Sequence, residues 1–225
     1  SVMGAVELVD TMVAPFSLFL TLGYHAYLWH VYNTRPSLTT LGSNALRRRA
    51  WFQAINGDDD KMGMVAVQSL RNTLMATILS ATVAALLSLA LMALSANAYD
   101  ARRLLGVGAA PGEILALKYA SASVALLGGF LCSAAALGLL VDANFLVCAV
   151  APAAEEAEAV RGHAGAVMER GFLVATVGNR TLCVAFPLLL WVFGPAPVVA
   201  ASVGLLWGLY RLDFHGGESS PRIKV

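Results

Sequence analysis

The stretch "CVAFPLLLWVFGPAPVVAASVGLLWGLY", Cys183 to Tyr210, carries no charged side chain over 28 residues, yet Gly194-Pro195-Ala196-Pro197 interrupts it midway. It reads either as one kinked membrane-crossing helix or as a hairpin of two. The two readings put the C-terminus on opposite sides of the membrane. A Pro-x-Pro pair removes two backbone donors and steers Gly194 and Ala196 away from helix. That favours the hairpin.

Composition places the whole chain in a membrane. Hydrophobic residues are 58% and charged residues 13% of the 225, about half the charged share of an ordinary globular chain. Mean hydropathy is +0.70. The net charge of +1 gives no global field that would recruit nucleic acid. Cys132, Cys148 and Cys183 show no CxxC spacing, so they read as small packing residues, with neither a metal site nor a disulfide framework.

Working outward, three more apolar tracts appear, at Met12–Tyr32, Thr73–Leu94 and Ile114–Val141. Each is long enough for a hydrocarbon core of about 30 Å at 1.5 Å per residue. The first lacks a basic leader and a small-residue cleavage site, so it reads as a retained span. With the hairpin, the expectation is an all-α, polytopic helix bundle forming a single membrane domain over 1–225. Its five spans fall at about 10–32, 73–95, 114–141, 172–194 and 197–212.

With the N-terminus outside and the C-terminus inside, 12 of the 15 basic residues face inward, leaving Arg102, Arg103 and Lys118 outside. A single fourth span would weaken this to nine against six. The inward excess obeys the positive-inside rule.

Between the first two spans, "SNALRRRAWFQAI" opens on a cap signal and sets Leu46, Trp51, Phe52 and Ile55 against Arg47, Arg48 and Arg49. The pattern predicts an amphipathic helix on the anionic inner leaflet. "EEAEAVRGHAGAVMERGFLVAT" predicts a helical ramp running unbroken into the fourth span. "NGDDDKMG" lacks the ligand spacing of a calcium loop and reads as a solvated acidic turn.

The pieces "GYHAYL", "ALRRRAWFQAI", "AVQSLRNTLMA" and "FPLLLWVFGP" resemble the plant and bacterial membrane family catalogued as domain of unknown function 599. The resemblance implies a multi-span membrane protein. It implies no reaction, ligand or catalytic residue.

The candidate functional residues come from depth. Arg180 lies 14 residues before Gly194, and Arg211 lies 14 after Pro197, so each sits about 21 Å below the turn. His25 lies 15 residues past Asp10, or about 22 Å. Asn179 and Tyr24 join that layer, with Arg71, Asn72 and Asp142 just below. One reading has both arginines snorkelling to phosphates, with His25 in an aromatic belt. The other is an inner vestibule in which Arg180 and Arg211 hold an anion or neutralise Asp142, with His25 as its proton-exchanging member. Lys118 reads either as snorkelling outward or as paired with Asp10 or Glu113 at the outer end.

Small residues crowd the third span, and Gly128/Cys132 and Gly129/Ser133 allow close helix approach, within one chain or across a dimer.

No nucleophile–base pair, phosphate loop or set of metal ligands appears, so neither an enzyme nor a cofactor is expected. The leading expectation is a small homo-oligomeric channel or carrier in a plasma membrane or endomembrane. The alternative is a scaffold or accessory subunit. A transporter requires a continuous polar stripe through the bilayer.

Overall fold

The computed structural model describes residues 2–55, 60–105, 110–148 and 154–214. Six α-helices follow one another, with no strand among the described residues: α1 (Val2–Thr34), α2 (Thr40–Ile55), α3 (Asp60–Leu105), α4 (Ala110–Cys148), α5 (Ala154–Leu190) and α6 (Pro195–Phe214). α3 to α6 contain four stretches long and apolar enough to cross a membrane: Met64–Asn97, Leu115–Val147, Glu158–Phe193 and Pro195–Phe214. The helices pack as two compact units, one of Ser1–Ala50 with Phe186–Val225 and one of Trp51–Ala185.

The interrupted apolar stretch is two helices. α5 tightens into a 3-10 turn at Trp191–Phe193, and Gly194 follows with φ of 125°. This is the one positive φ among the described residues, in a region open almost only to glycine. The Gly194 N–H closes the turn by donating to the Trp191 carbonyl at 3.1 Å. Pro195 then opens α6, where its missing N–H costs nothing.

In the Trp51–Ala185 unit, α3, α4 and α5 pack antiparallel. Leu70 near the start of α3 meets Leu140 and Ala143 near the end of α4. Gly171 backs onto Leu140, Gly178 onto Ser133, and Gly129 onto Leu182, so the register between α4 and α5 runs in opposite senses. A Cβ at Gly178 would stand 2.9 Å from Ser133 Oγ and 3.1 Å from the Ser133 backbone nitrogen. Glycine is therefore what lets the two helices approach. The small-residue face of the third span is used here, within one chain.

These helices outrun the bilayer. α3 has 46 residues, α4 has 39 and α5 has 37. At 1.5 Å per residue α5 alone is about 55 Å long, against a hydrocarbon core of about 30 Å. The unbroken α5 is the expected ramp plus span. At the end where α3 begins, α4 finishes and α5 begins, Phe52, Leu70, Leu140, Ala143, Ala164 and Met168 form a buried apolar core. Trp51, Leu74, Val167 and Phe172 pack around it.

α2 is helical as expected, but its apolar residues divide. Phe52 is buried in that core, against Gly165, whereas Leu46 is exposed. Phe52 thus packs against protein, where the amphipathic pattern predicts the lipid surface.

In the unit built from α1 and α6, the two helices run in the same direction. Ser17 pairs with Ser202, and farther along both chains Tyr24 pairs with Asp213. α2 starts beside them. A Cβ at Gly42 would fall 2.1 Å from the Pro36 carbonyl oxygen, and the Thr40 hydroxyl donates to the Leu212 carbonyl at 2.7 Å.

Candidate functional site

Among the described side chains of α1, Ser17, Thr21 and Leu28 are buried, at spacings of four and seven, so they form one stripe of the helix. Val198, Ser202, Leu209 and Asp213 form the matching stripe of α6. The two stripes meet along a seam that is polar at several levels. The Ser17 and Ser202 hydroxyls hydrogen-bond each other, and the Thr21 hydroxyl donates to the Ser17 carbonyl at 2.9 Å. Lower down, the Tyr24 hydroxyl donates to Asp213 Oδ2 at 2.6 Å. Asp213 is only 2% exposed.

His25 borders this seam. Its Nδ1 lies 2.7 Å from the Thr21 carbonyl oxygen, and its ring stands edge-on to Tyr24, with centroids 5.4 Å apart at 88°. Its Nε2 is buried and has no hydrogen-bond partner. Below lies an aromatic cluster, with Phe214 against both Tyr27 and Tyr210 and Trp29 stacked on Tyr32. Such rings suit the membrane–water interface.

The other residues singled out from the sequence lie elsewhere. Arg211 is exposed and its guanidinium sits 5.5 Å over the Trp207 ring, a cation–π contact on the outer face of α6. Arg180 and Asn179 belong to the Trp51–Ala185 unit, half-buried and exposed respectively.

Arg71, Asn72 and Asp142 are all exposed in that unit. Because Gly171 faces Leu140 and Gly178 faces Ser133, Asp142 stands level with residues 169 and 170 of α5. Arg180 is then about 16 Å farther along. The register therefore sets Arg180 and Asp142, one pairing the vestibule reading allowed, at different levels along α5 and α4.

Lys118 is 8% exposed, buried rather than snorkelling. The side chains of Asp10 and Glu113 lie outside the described residues, as do those of "NGDDDKMG". Arg47 and Arg49 are exposed and Arg48 is half-buried. Among the described residues no cluster of His, Cys, Asp or Glu could hold a metal ion.

Sequence reasoning missed Ser17, Thr21, Ser202 and Asp213. The four-residue spacing of Ser17 and Thr21 inside "FSLFLTL" was a signal for one polar face. Nothing in the sequence announces its partner on α6, 185 residues away.

A family model described as "Protein of unknown function, DUF599" matches residues 12–217. No curated protein and no solved structure matches the chain.

Proposed function

The chain belongs to the family described as protein of unknown function, DUF599, and from that premise we propose that it is a small carrier or channel for an ion or small solute. The observation that carries this reading is the α1–α6 seam. Hydroxyl groups, a histidine and a buried carboxylate follow one another there along two apolar helices. Ionisable groups at membrane depth are costly and mark solute or ion paths. From Ser17 down to Asp213 the seam sets polar groups over roughly 10–16 Å of a core about 30 Å thick, which is part of the stripe that transport requires.

In this reading α1 is a fifth span, the N-terminus is outside and the C-terminus inside. Two independent arguments support that topology. The basic residues concentrate inward. The parallel run of α1 and α6 requires both helices to cross in the same sense, as the first and fifth of five spans do. Tags on the two termini should report opposite sides of the membrane, and finding both on one side would remove the fifth span.

Reconstituted protein should move an ion or small solute across liposomes. Asp213→Asn should slow that flux by about tenfold, roughly 1.4 kcal/mol in a barrier. Undiminished flux in the variant would separate the seam from the pathway. Arg47 and Arg49 are read as contacts to anionic lipid of the inner leaflet of a plasma membrane or endomembrane, and no catalytic role is assigned.

A second reading, a scaffold or subunit of a homo-oligomer, draws on a different observation. Only 17–28% of the most apolar stretch of each span is buried within the chain. That leaves wide apolar faces for lipid or for other copies. Mass measurement in detergent distinguishes monomer from assembly.

A further inference from the structure

The protonation of His25 follows from its neighbours. Nδ1 lies 2.7 Å from the Thr21 carbonyl oxygen, and a carbonyl oxygen only accepts, so Nδ1 carries the hydrogen. In the neutral ring Nε2 is then a bare lone pair. That lone pair is buried with no partner, a state native proteins rarely leave uncorrected. A proton or a donor group would correct it.

Histidine is the side chain built to take and release a proton between about pH 5 and 8. Resting on the carrier reading, we infer that the coupling ion is a proton, taken up at His25 Nε2.

Among the described residues, α6 and the 3-10 turn Pro36–Leu38 pack against α1. The turn has no titratable group, and Arg35 precedes it. α6 carries Tyr210, Arg211 and Asp213, of which Tyr210 and Arg211 are exposed and Asp213 is buried. On α1 itself stand Tyr24, Tyr27, His30 and Tyr32. Tyr24 touches the imidazole edge-on while its hydroxyl donates to Asp213, so the carboxylate and the imidazole share one intervening residue.

On uptake an N–H bond forms at Nε2 with a proton from water on one side. The ring becomes imidazolium while Nδ1–H stays on the Thr21 carbonyl. On release the Nε2–H bond breaks to water on the other side, and no electron changes hands.

The test uses the full chain labelled with ¹⁵N-histidine in lipid nanodiscs, with the His25 signal assigned by its loss in His25→Gln. The neutral ring should be the Nδ1–H tautomer, and acidifying the sample should place hydrogen on both nitrogens. The same chain in liposomes under a potassium diffusion potential set by valinomycin, with an internal pH dye, should admit protons. His25→Gln should reduce that flux to background.

An Nε2–H tautomer, a ring still neutral at the acid end, or a titrating ring with unchanged proton flux in the variant would each overturn the inference. Potassium, chloride or neutral-solute flux without proton movement would overturn it too, while leaving the carrier reading standing. A titrating ring with no flux of any species would overturn both.

Discussion

The two units solve the same problem, how to hold helices together inside a bilayer, in opposite ways. In the Trp51–Ala185 unit, glycines let backbones close in, so that Gly178 sits on Ser133 and Gly171 on Leu140. An apolar core around Phe52 and Met168 completes the packing. The α1–α6 unit instead joins its two long helices through side-chain hydrogen bonds, Ser17 to Ser202 and Tyr24 to Asp213. Lipid offers no hydrophobic drive for helices to meet, so close packing and polar contacts are the two means available. The comparison teaches that the first suits a fixed frame. The second leaves hydroxyls and a carboxylate along the contact between two long helices.

The contrast can be broken from the packed side first. Gly178→Leu puts a branched side chain where even a Cβ meets the Ser133 backbone nitrogen at 3.1 Å. It should cost about 3 kcal/mol or more, read as a fall in the midpoint of denaturation by SDS in mixed micelles. A wild-type midpoint would mean that the α4–α5 contact is looser than described.

Gly42→Ala comes next. Its Cβ would lie 2.1 Å from the Pro36 carbonyl oxygen, so the turn before α2 has to move, at about 2 kcal/mol. The same denaturation curve checks it.

Tyr24→Phe removes one hydrogen bond to a carboxylate and should cost about 1.5 kcal/mol. Unlike the glycine variants, it should change flux more than stability.

The smallest effect belongs to the serines. A double-mutant cycle of Ser17→Ala and Ser202→Ala should give a coupling near 0.6 kcal/mol, the usual scale for such bonds in membranes. A coupling of zero would say that the two hydroxyls are adjacent without stabilising the pair.

The parts of this fold that the sequence announces are those governed by local rules. The break at Gly194-Pro195 follows from proline's missing donor and glycine's freedom. The continuous α5 follows from unbroken helical residues through Arg170 and Arg180. The close-packing face of α4 is visible as Gly128, Gly129, Cys132 and Ser133.

What stays hidden depends on distant partners. Arg211 and Arg180 share a calculated depth, but depth says nothing of direction around the helix axis, and Arg211 points outward over Trp207. Asp213 is one carboxylate near the end of an apolar helix, and only its meeting with Tyr24 makes it a site. Apolar tracts mark the bilayer and not which side chains meet, so the burial of Phe52 in one core with Leu140 and Met168 has no hydropathy signature.

The parallel pairing of α1 with α6 also bears on how the protein is made. α3, α4 and α5 are consecutive, so each can settle on its neighbour as the ribosome delivers it. α1 precedes them in the chain, yet its Ser17 waits for a serine 185 residues later. Contacts between such distant residues form slowly, because a long chain must first be ordered between them. Until Ser202 and Asp213 arrive, Ser17 and Tyr24 of α1 lack the α6 partners that they hold in the folded chain. The polar seam is complete only when α6 is in place.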